Sequence, residues 1–258
     1  MTQTALITGA SSGIGKEMAR IHAEKGGDLV ILARSKDELN ALKTELETTY
    51  GVTVTVLVKD LSKELAPQQI FDAVNKAGIE IDYLINNAGF GGVGKFHERD
   101  WDKDRDMIQV NVVALSALTR LFLPDMVARN SGRILNVSST ASVVPGPMQA
   151  VYFATKSYVR FLSNAIAEEL HDTNVTVTAL MPGATQSDFA KTADMEDTKL
   201  FSSTASARDV AQTGYDAMMK GELETFAGLD FKTKMTMRLA PLMPKSAVMP
   251  KIRKMQGG

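Results

Sequence analysis

The chain has no cysteine among its 258 residues. Disulfides, thiolate metal sites and a cysteine nucleophile are therefore excluded. Only three histidines occur, His22, His97 and His171. They are scattered at no metal-ligand spacing and no carboxylate cluster compensates, so no metal site is expected. No uninterrupted apolar run reaches the roughly 18 residues that a membrane-spanning helix needs. The N-terminus enters a strand-like segment at once, unlike the basic-then-apolar start of a signal peptide. Charge of one sign is missing too: 29 Lys and Arg face 30 Asp and Glu, a formal net charge of −1. That balance gives no electrostatic reason to expect nucleic acid or an anionic membrane as partner. A cytoplasmic protein with no membrane span and no nucleic-acid partner is the expectation these absences leave.

What is present suits a folded domain. The hydrophobic fraction of 44% and charged fraction of 23% are ordinary for a globular chain, so a buried core is expected. Strand-like and helix-like segments alternate from the start. Thr4 to Thr8 (TALIT) reads as a strand and Ile14 to Lys25 as a helix. Asp28 to Ala33 (DLVILA) is continuously apolar, as a strand buried on both faces should be. Leu39, Leu42 and Leu46 form one stripe on a helix over Ser35 to Tyr50. Further strands are predicted at 52–58, 82–86, 133–138, 175–180 and 222–227, with helices at 64–77, 100–129, 150–171 and 207–220. A kink is expected near Pro124. Repeated strand–helix–strand units require crossovers and hence a parallel sheet covered on both faces. The fold class is α/β: one doubly wound, Rossmann-like domain with a mostly parallel seven-stranded sheet, spanning residues 1–230. The segment 186–206 is polar and too long for a plain connector, so it is a candidate lid. Residues 231–258 read as a solvated, partly helical extension, with a docking flap or a membrane-surface segment as the alternative.

Two groups of residues carry chemistry. The first strand runs into Thr8-Gly9-Ala10-Ser11-Ser12-Gly13-Ile14-Gly15, and a helix follows. Glycines let the backbone approach a pyrophosphate, and the helix N-terminus offers free N–H groups and positive partial charge. The Gly-x3-Gly-x-Gly spacing differs from the common dinucleotide fingerprint. A carboxylate at the end of the second strand would select NAD through the ribose 2′-OH. Here that strand ends Ala33-Arg34-Ser35, and Arg34 offers a charge-assisted fork to a 2′-phosphate, favouring NADP(H) over NAD(H). Pairing of Arg34 with Glu38 is the bland alternative. Asp60 can accept from an adenine amino group and can cap a helix before Ser62 to Glu64, and the two roles are compatible. Asn86-Asn87-Ala88-Gly89 ends strand four and allows close backbone approach to a ribose.

The second group is chemical. Tyr152 and Lys156 lie four apart on one helix, hence on one face. Carbonyl reduction needs an acid for the developing alkoxide. A free tyrosine has a pKa near ~10, and an ammonium lowering it by roughly three units would supply about 4 kcal/mol. Ser139, at the end of strand five, sits 13 residues before Tyr152 and can hydrogen-bond a substrate oxygen. Strand alternation points its rival Ser138 the other way. Asn111 interrupts an apolar helix face and is either a satisfied core residue or a link in a proton path.

Taken together, Thr8-Gly9-x3-Gly13-x-Gly15, Asn86-Asn87-Ala88-Gly89, Asn111, Ser139, Tyr152-x3-Lys156 and Pro182-Gly183 resemble the short-chain dehydrogenase/reductase family. The resemblance covers roughly residues 2–230, and the ordered set is far more specific than any one piece. The stretch Met181 to Phe189 and the segment Leu32-Ala33-Arg34-Ser35 are most similar to the bacterial NADP-preferring branch around DltE-type oxidoreductases. It implies a catalytic group of Asn111, Ser139, Tyr152 and Lys156, with the tyrosine as acid/base, the lysine also on the nicotinamide ribose and the serine on substrate. It implies cofactor contacts from Gly9, Ser11, Ser12, Gly13, Ile14, Gly15, Arg34, Ser35, Asp60, Leu61, Asn87, Ala88, Gly89, Tyr152, Lys156, Pro182, Gly183 and Thr185. Relatives also lead to expecting a homodimer or homotetramer through the 100–129 and Tyr152 helices. The expected substrate is a small or medium carbonyl or alcohol compound. Its pocket is expected to involve Phe90, Gly91, Val93, Val144 and Met148, closed by Phe189, Met195, Leu200 and Phe201. A non-enzymatic dinucleotide sensor and a sugar-nucleotide epimerase or dehydratase are the rival readings.

Overall fold

The computed structural model describes residues 2–186 and 204–256. Seven strands form one parallel sheet in the order β3-β2-β1-β4-β5-β6-β7. They are β1 (Thr4–Thr8), β2 (Asp28–Ala33), β3 (Val54–Val58), β4 (Tyr83–Asn86), β5 (Gly132–Val137), β6 (Val175–Pro182) and β7 (Glu224–Ala227). The crossovers carry α1 (Gly13–Glu24), α2 (Lys36–Tyr50), α3 (Ala66–Lys76), α4 (Trp101–Ile108), α5 (Leu115–Ala128), α6 (Ala150–Glu169) and α7 (Ala207–Lys220). Two further helices, α8 (Phe231–Leu239) and α9 (Lys245–Met255), follow β7.

Continuous apolar strands bury both faces. On β1, Ala5 and Ile7 join Met18, Ile21, Leu39, Leu42, Leu46, Val210 and Met218 on one side. Leu6, on the other side, joins Ile70, Val74, Leu118, Phe122 and Met126. Burying each large aliphatic side chain contributes about 1.5–3 kcal/mol, so the two-sided pattern drives assembly. Leu6 stands level with Val30 of β2 and Leu84 of β4. At β1 the strand order reverses, and the carboxyl ends of β1 and β4 diverge into the crevice where doubly wound sheets bind ligands.

By length and composition alone, the helical stretch Trp101–Ala128 is long and apolar enough to cross a membrane. Here it covers the sheet, burying Val110, Leu118, Phe122 and Met126 in that second core. Its hydrogen-bond pattern changes at Gln109–Ala114, a π-helical segment. That lies upstream of Pro124, which sits inside α5 and had marked the expected kink. Single π-helical turns often accompany functional residues, and this one holds Asn111. The expected lid falls largely outside the described residues, as do Phe189, Met195, Leu200 and Phe201.

Candidate active site

A single cleft of about 580 Å³ runs along the carboxyl edge of the sheet. One end is lined by Gly9, Ser11, Ser12, Gly13, Ile14, Arg34, Ser35, Asp60 and Leu61. The middle is lined by Asn87, Ala88, Gly89, Pro182, Gly183 and Thr185, and the other end by Ser139, Tyr152 and Lys156. Among the expected site residues, Gly15 and Asn111 stand behind this lining.

The glycine loop is shaped by close approach. Gly9 has φ 66°, and a Cβ there would come within 2.8 Å of Asn87 Nδ2. A Cβ at Gly15 would lie 2.4 Å from both Asn87 Nδ2 and Gly9 O. Asn87 Nδ2 donates to Thr8 O at 2.9 Å and to Gly9 O at 3.2 Å. Thr8 Oγ1 accepts from the N–H groups of Asn87 and Ala88. Asn87 thus ties β4 to the loop. Ser12 and Ser35 occupy the N-cap positions of α1 and α2 without making a capping bond, so both hydroxyls and the first helical N–H groups can meet an anion.

Arg34 is exposed at the cleft edge, and among the described residues it makes no ion pair with Glu38 or any other carboxylate. Lys59 and Lys63, which the sequence reading missed, line the same end. The Asp60 Oδ1 accepts from Ser62 N at 3.0 Å and so closes a turn after β3; it does not cap a helix as expected, because α3 begins only at Ala66 with Leu65 at its N-cap. Burial opposes ionisation of Asp60, but the Ser62 hydrogen bonds and the Arg34 charge outweigh it and hold the carboxyl below its ordinary range.

At the far end, β5 delivers two serines with opposite duties. Ser138 Oγ donates to Lys156 O at 2.7 Å and is buried. Ser139 Oγ accepts from Ala141 N at 3.1 Å and interacts with the Tyr152 phenol. Lys156 Nζ donates to Val137 O at 2.8 Å and lies 5.9 Å from the centre of the Tyr152 ring. Asn111 Nδ2 donates to Phe90 O at 2.9 Å and to Thr155 Oγ1 at 3.1 Å, while its Oδ1 accepts from Phe90 N. Asn111 is thereby a satisfied core residue, but one that braces α6 and the Gly89 loop beside Lys156.

The electrostatics depart from expectation. Burial pushes the Tyr152 phenol up to about 12, only partly offset by Ser139. Burial also pulls the Lys156 ammonium down to about 8. Desolvation penalises both charged forms. Both groups still hold their protons at neutral pH.

The substrate end also differs. Phe90 and Val144 line the cleft, but Gly91, Val93 and Met148 do not. Val93 O accepts from Arg99, and Met148 O accepts from Gly94 N. The C-terminal segment takes their place: Met237, Ile252, Met255 and Gln256 line the cleft. Gln256 is buried and hydrogen-bonded to Gln149, the residue that starts α6. The tail is not simply solvated. Only a fold that brings positions 107 residues apart into contact reveals this, so no local pattern could have found it.

Comparison with known proteins agrees with this architecture. A short chain dehydrogenase family model matches residues 3–198. The uncharacterized oxidoreductase YvrD of Bacillus subtilis is 39% identical over 180 residues, 70% of this chain and 67% of that protein. The human very-long-chain 3-oxoacyl-CoA reductase is 34% identical over 184 residues, 69% of this chain but only 58% of the relative. A short-chain dehydrogenase from Sphingobium yanoikuyae in complex with NADPH superposes with TM-score 0.81 at 31% identity, covering 87% of each chain. The cleft and sheet define a doubly wound oxidoreductase scaffold. The chain belongs to the short-chain dehydrogenase family.

Proposed function

We propose that the protein is an NADPH-dependent reductase of carbonyl compounds, running in reverse on the corresponding alcohols. The observation that carries this reading is that Ser139, Tyr152 and Lys156 share one uninterrupted cleft with the Gly9–Ile14 loop and Arg34. The residues suit a dinucleotide: positions 9 and 15 have no room for a side chain, and the N-terminus of α1 opens beneath them. Gly9 through Ile14 would hold the pyrophosphate, and Arg34 with Ser35, helped by Lys59 and Lys63, the 2′-phosphate. Asp60 and Leu61 would flank the adenine. Asn87, Ala88, Gly89 and Lys156 would hold the nicotinamide ribose, and Pro182, Gly183 and Thr185 the carboxamide.

A reduced nicotinamide held by these residues would supply a hydride for the carbonyl carbon. Ser139 positions the carbonyl oxygen, and Tyr152 donates its proton to that oxygen as negative charge develops. The high pKa of the buried phenol keeps it protonated and ready to donate at neutral pH. Lys156, still mostly an ammonium there, stabilises the tyrosinate left behind, which then recovers a proton from solvent. Asn111 acts by holding α6 and the Gly89 loop in register. Phe90, Val144, Phe153, Met237 and Ile252 give the substrate end an apolar wall, which fits a small-to-medium apolar carbonyl compound. A homodimer or homotetramer through α4–α6 fits the exposed Trp101, Val113, Tyr158 and Phe161 on that face.

The test is a panel of ketones and aldehydes followed at nicotinamide absorbance with NADPH and NADH. Turnover with NADPH that exceeds turnover with NADH is expected. Dinucleotide binding without turnover of any carbonyl or alcohol would favour a sensor instead.

A further inference from the structure

The near-zero net charge hides a sharp segregation. Residues 231–256 carry Lys232, Lys234, Arg238, Lys245, Lys251, Arg253 and Lys254 and not one acidic residue. Residues 1–230 therefore hold 22 of the 29 cations and all 30 carboxylates. The basic segment also bears the most exposed large apolar side chains among the described residues, Leu242 at 82% and Phe231 at 81%. Leu239, Met235 and Met243 add to that apolar surface.

This segment is fastened to the domain. Asp230 caps α8 by accepting from Thr233 N. Ala240 packs in a buried cluster with Val143, Met181 and Phe226. Gln256 closes the far end against Gln149. A fixed cationic surface studded with aliphatic and aromatic side chains has the character of an interfacial amphipathic element. Large apolar side chains this exposed, gathered within one short basic segment, suit an interaction site. Nucleic acid would satisfy the cations but leave Phe231 and Leu242 without a hydrocarbon to enter.

We propose that α8 and α9 dock on an anionic lipid bilayer, with the lysines and arginines at the headgroups and Phe231, Leu239 and Leu242 inserted among the upper acyl chains. The inner side of the same segment, through Met237, Ile252 and Met255, lines the substrate end of the cleft. Docking therefore sets the cleft mouth against the membrane, where lipophilic carbonyl compounds concentrate. The delivery half rests on the reductase reading above; the docking half does not.

Vesicle co-sedimentation reads docking without turnover. The full chain should pellet with phosphatidylcholine–phosphatidylglycerol vesicles and remain in the supernatant with pure phosphatidylcholine, and added salt should weaken pelleting. Lys245→Glu, Lys251→Glu and Lys254→Glu together should lower the partition coefficient on the order of 100-fold or more, taking about 1 kcal/mol per basic residue. Phe231→Ser with Leu242→Ser should also lower it, with unchanged circular dichroism in both variants. Equal pelleting with the two vesicle types, no pelleting with either, or unaltered pelleting of the charge variant would each overturn the proposal. So would self-association of the free protein that those substitutions abolish without any vesicle binding. If docking holds but no carbonyl compound turns over, only the delivery half fails.

Discussion

Lys156 places a measurable burden on stability. Its ammonium is buried and loses hydration, and the folded pKa falls from the ordinary 10.5 to about 8. The unfolded chain therefore binds the extra proton more tightly between those values, and stability must rise with pH across that window. A displacement of that size corresponds to about 3 kcal/mol at 1.36 kcal/mol per unit, fully felt below pH 8 and relieved above pH 10.5. Lys156→Met keeps the aliphatic stem and removes the charge. It also strips Val137 O of its 2.8 Å donor, a loss of about 1–3 kcal/mol for a buried carbonyl. At neutral pH the two effects nearly cancel, or the variant gains slightly. Urea unfolding of both proteins from pH 7 to pH 10 isolates the lysine, because titrations away from Lys156 are common to both and Tyr152 keeps its proton in both states over most of that range. The wild-type stability should climb relative to the variant by most of that ~3 kcal/mol over that range. A difference that stays flat with pH, or one that falls, would refute the account of a buried, desolvated ammonium.

Other outcomes follow from the same geometry. Tyr152→Phe should reduce turnover at least about 100-fold while NADPH still binds, read by steady-state kinetics and cofactor fluorescence. Tyr152 also makes a pH prediction of the opposite sign. Its folded pKa is raised from 10 to about 12, so wild type should lose stability above pH 10 relative to Tyr152→Phe. Arg34→Ala should weaken NADPH by about 10–100-fold, from the loss of a charge-assisted contact, and leave NADH nearly unchanged in a titration of both. Gly15→Ala should cut affinity for both dinucleotides alike, because a Cβ at that position collides with Gly9 O and Asn87.

Much of the scaffold was legible in the chain. β1, β2 and α7 occupy the residues their patterns indicate, 4–8, 28–33 and 207–220, because strand burial and helical periodicity are local signals. The glycine loop and the Ser139–Tyr152–Lys156 set were legible for a related reason: loop shape and i, i+4 proximity are fixed over a few residues. The π-helical turn around Asn111 was not, since a one-residue change in hydrogen bonding leaves the apolar pattern intact. Lys59 and Lys63 were missed because an exposed lysine gives no sequence sign of which cleft it borders.

The order of residues by itself determined the parallel sheet, the glycine-rich turn after β1 and the side chains proposed to react, since each depends on neighbours a turn or a strand apart. Tertiary structure alone decided that the buried phenol and ammonium shift in opposite directions, because desolvation depends on what surrounds a group and not on what precedes it. It alone decided that residues 231–256 roof the substrate end, since that placement rests on contacts between segments about a hundred residues apart. Loop closure over that distance is directed by packing, which no local pattern encodes.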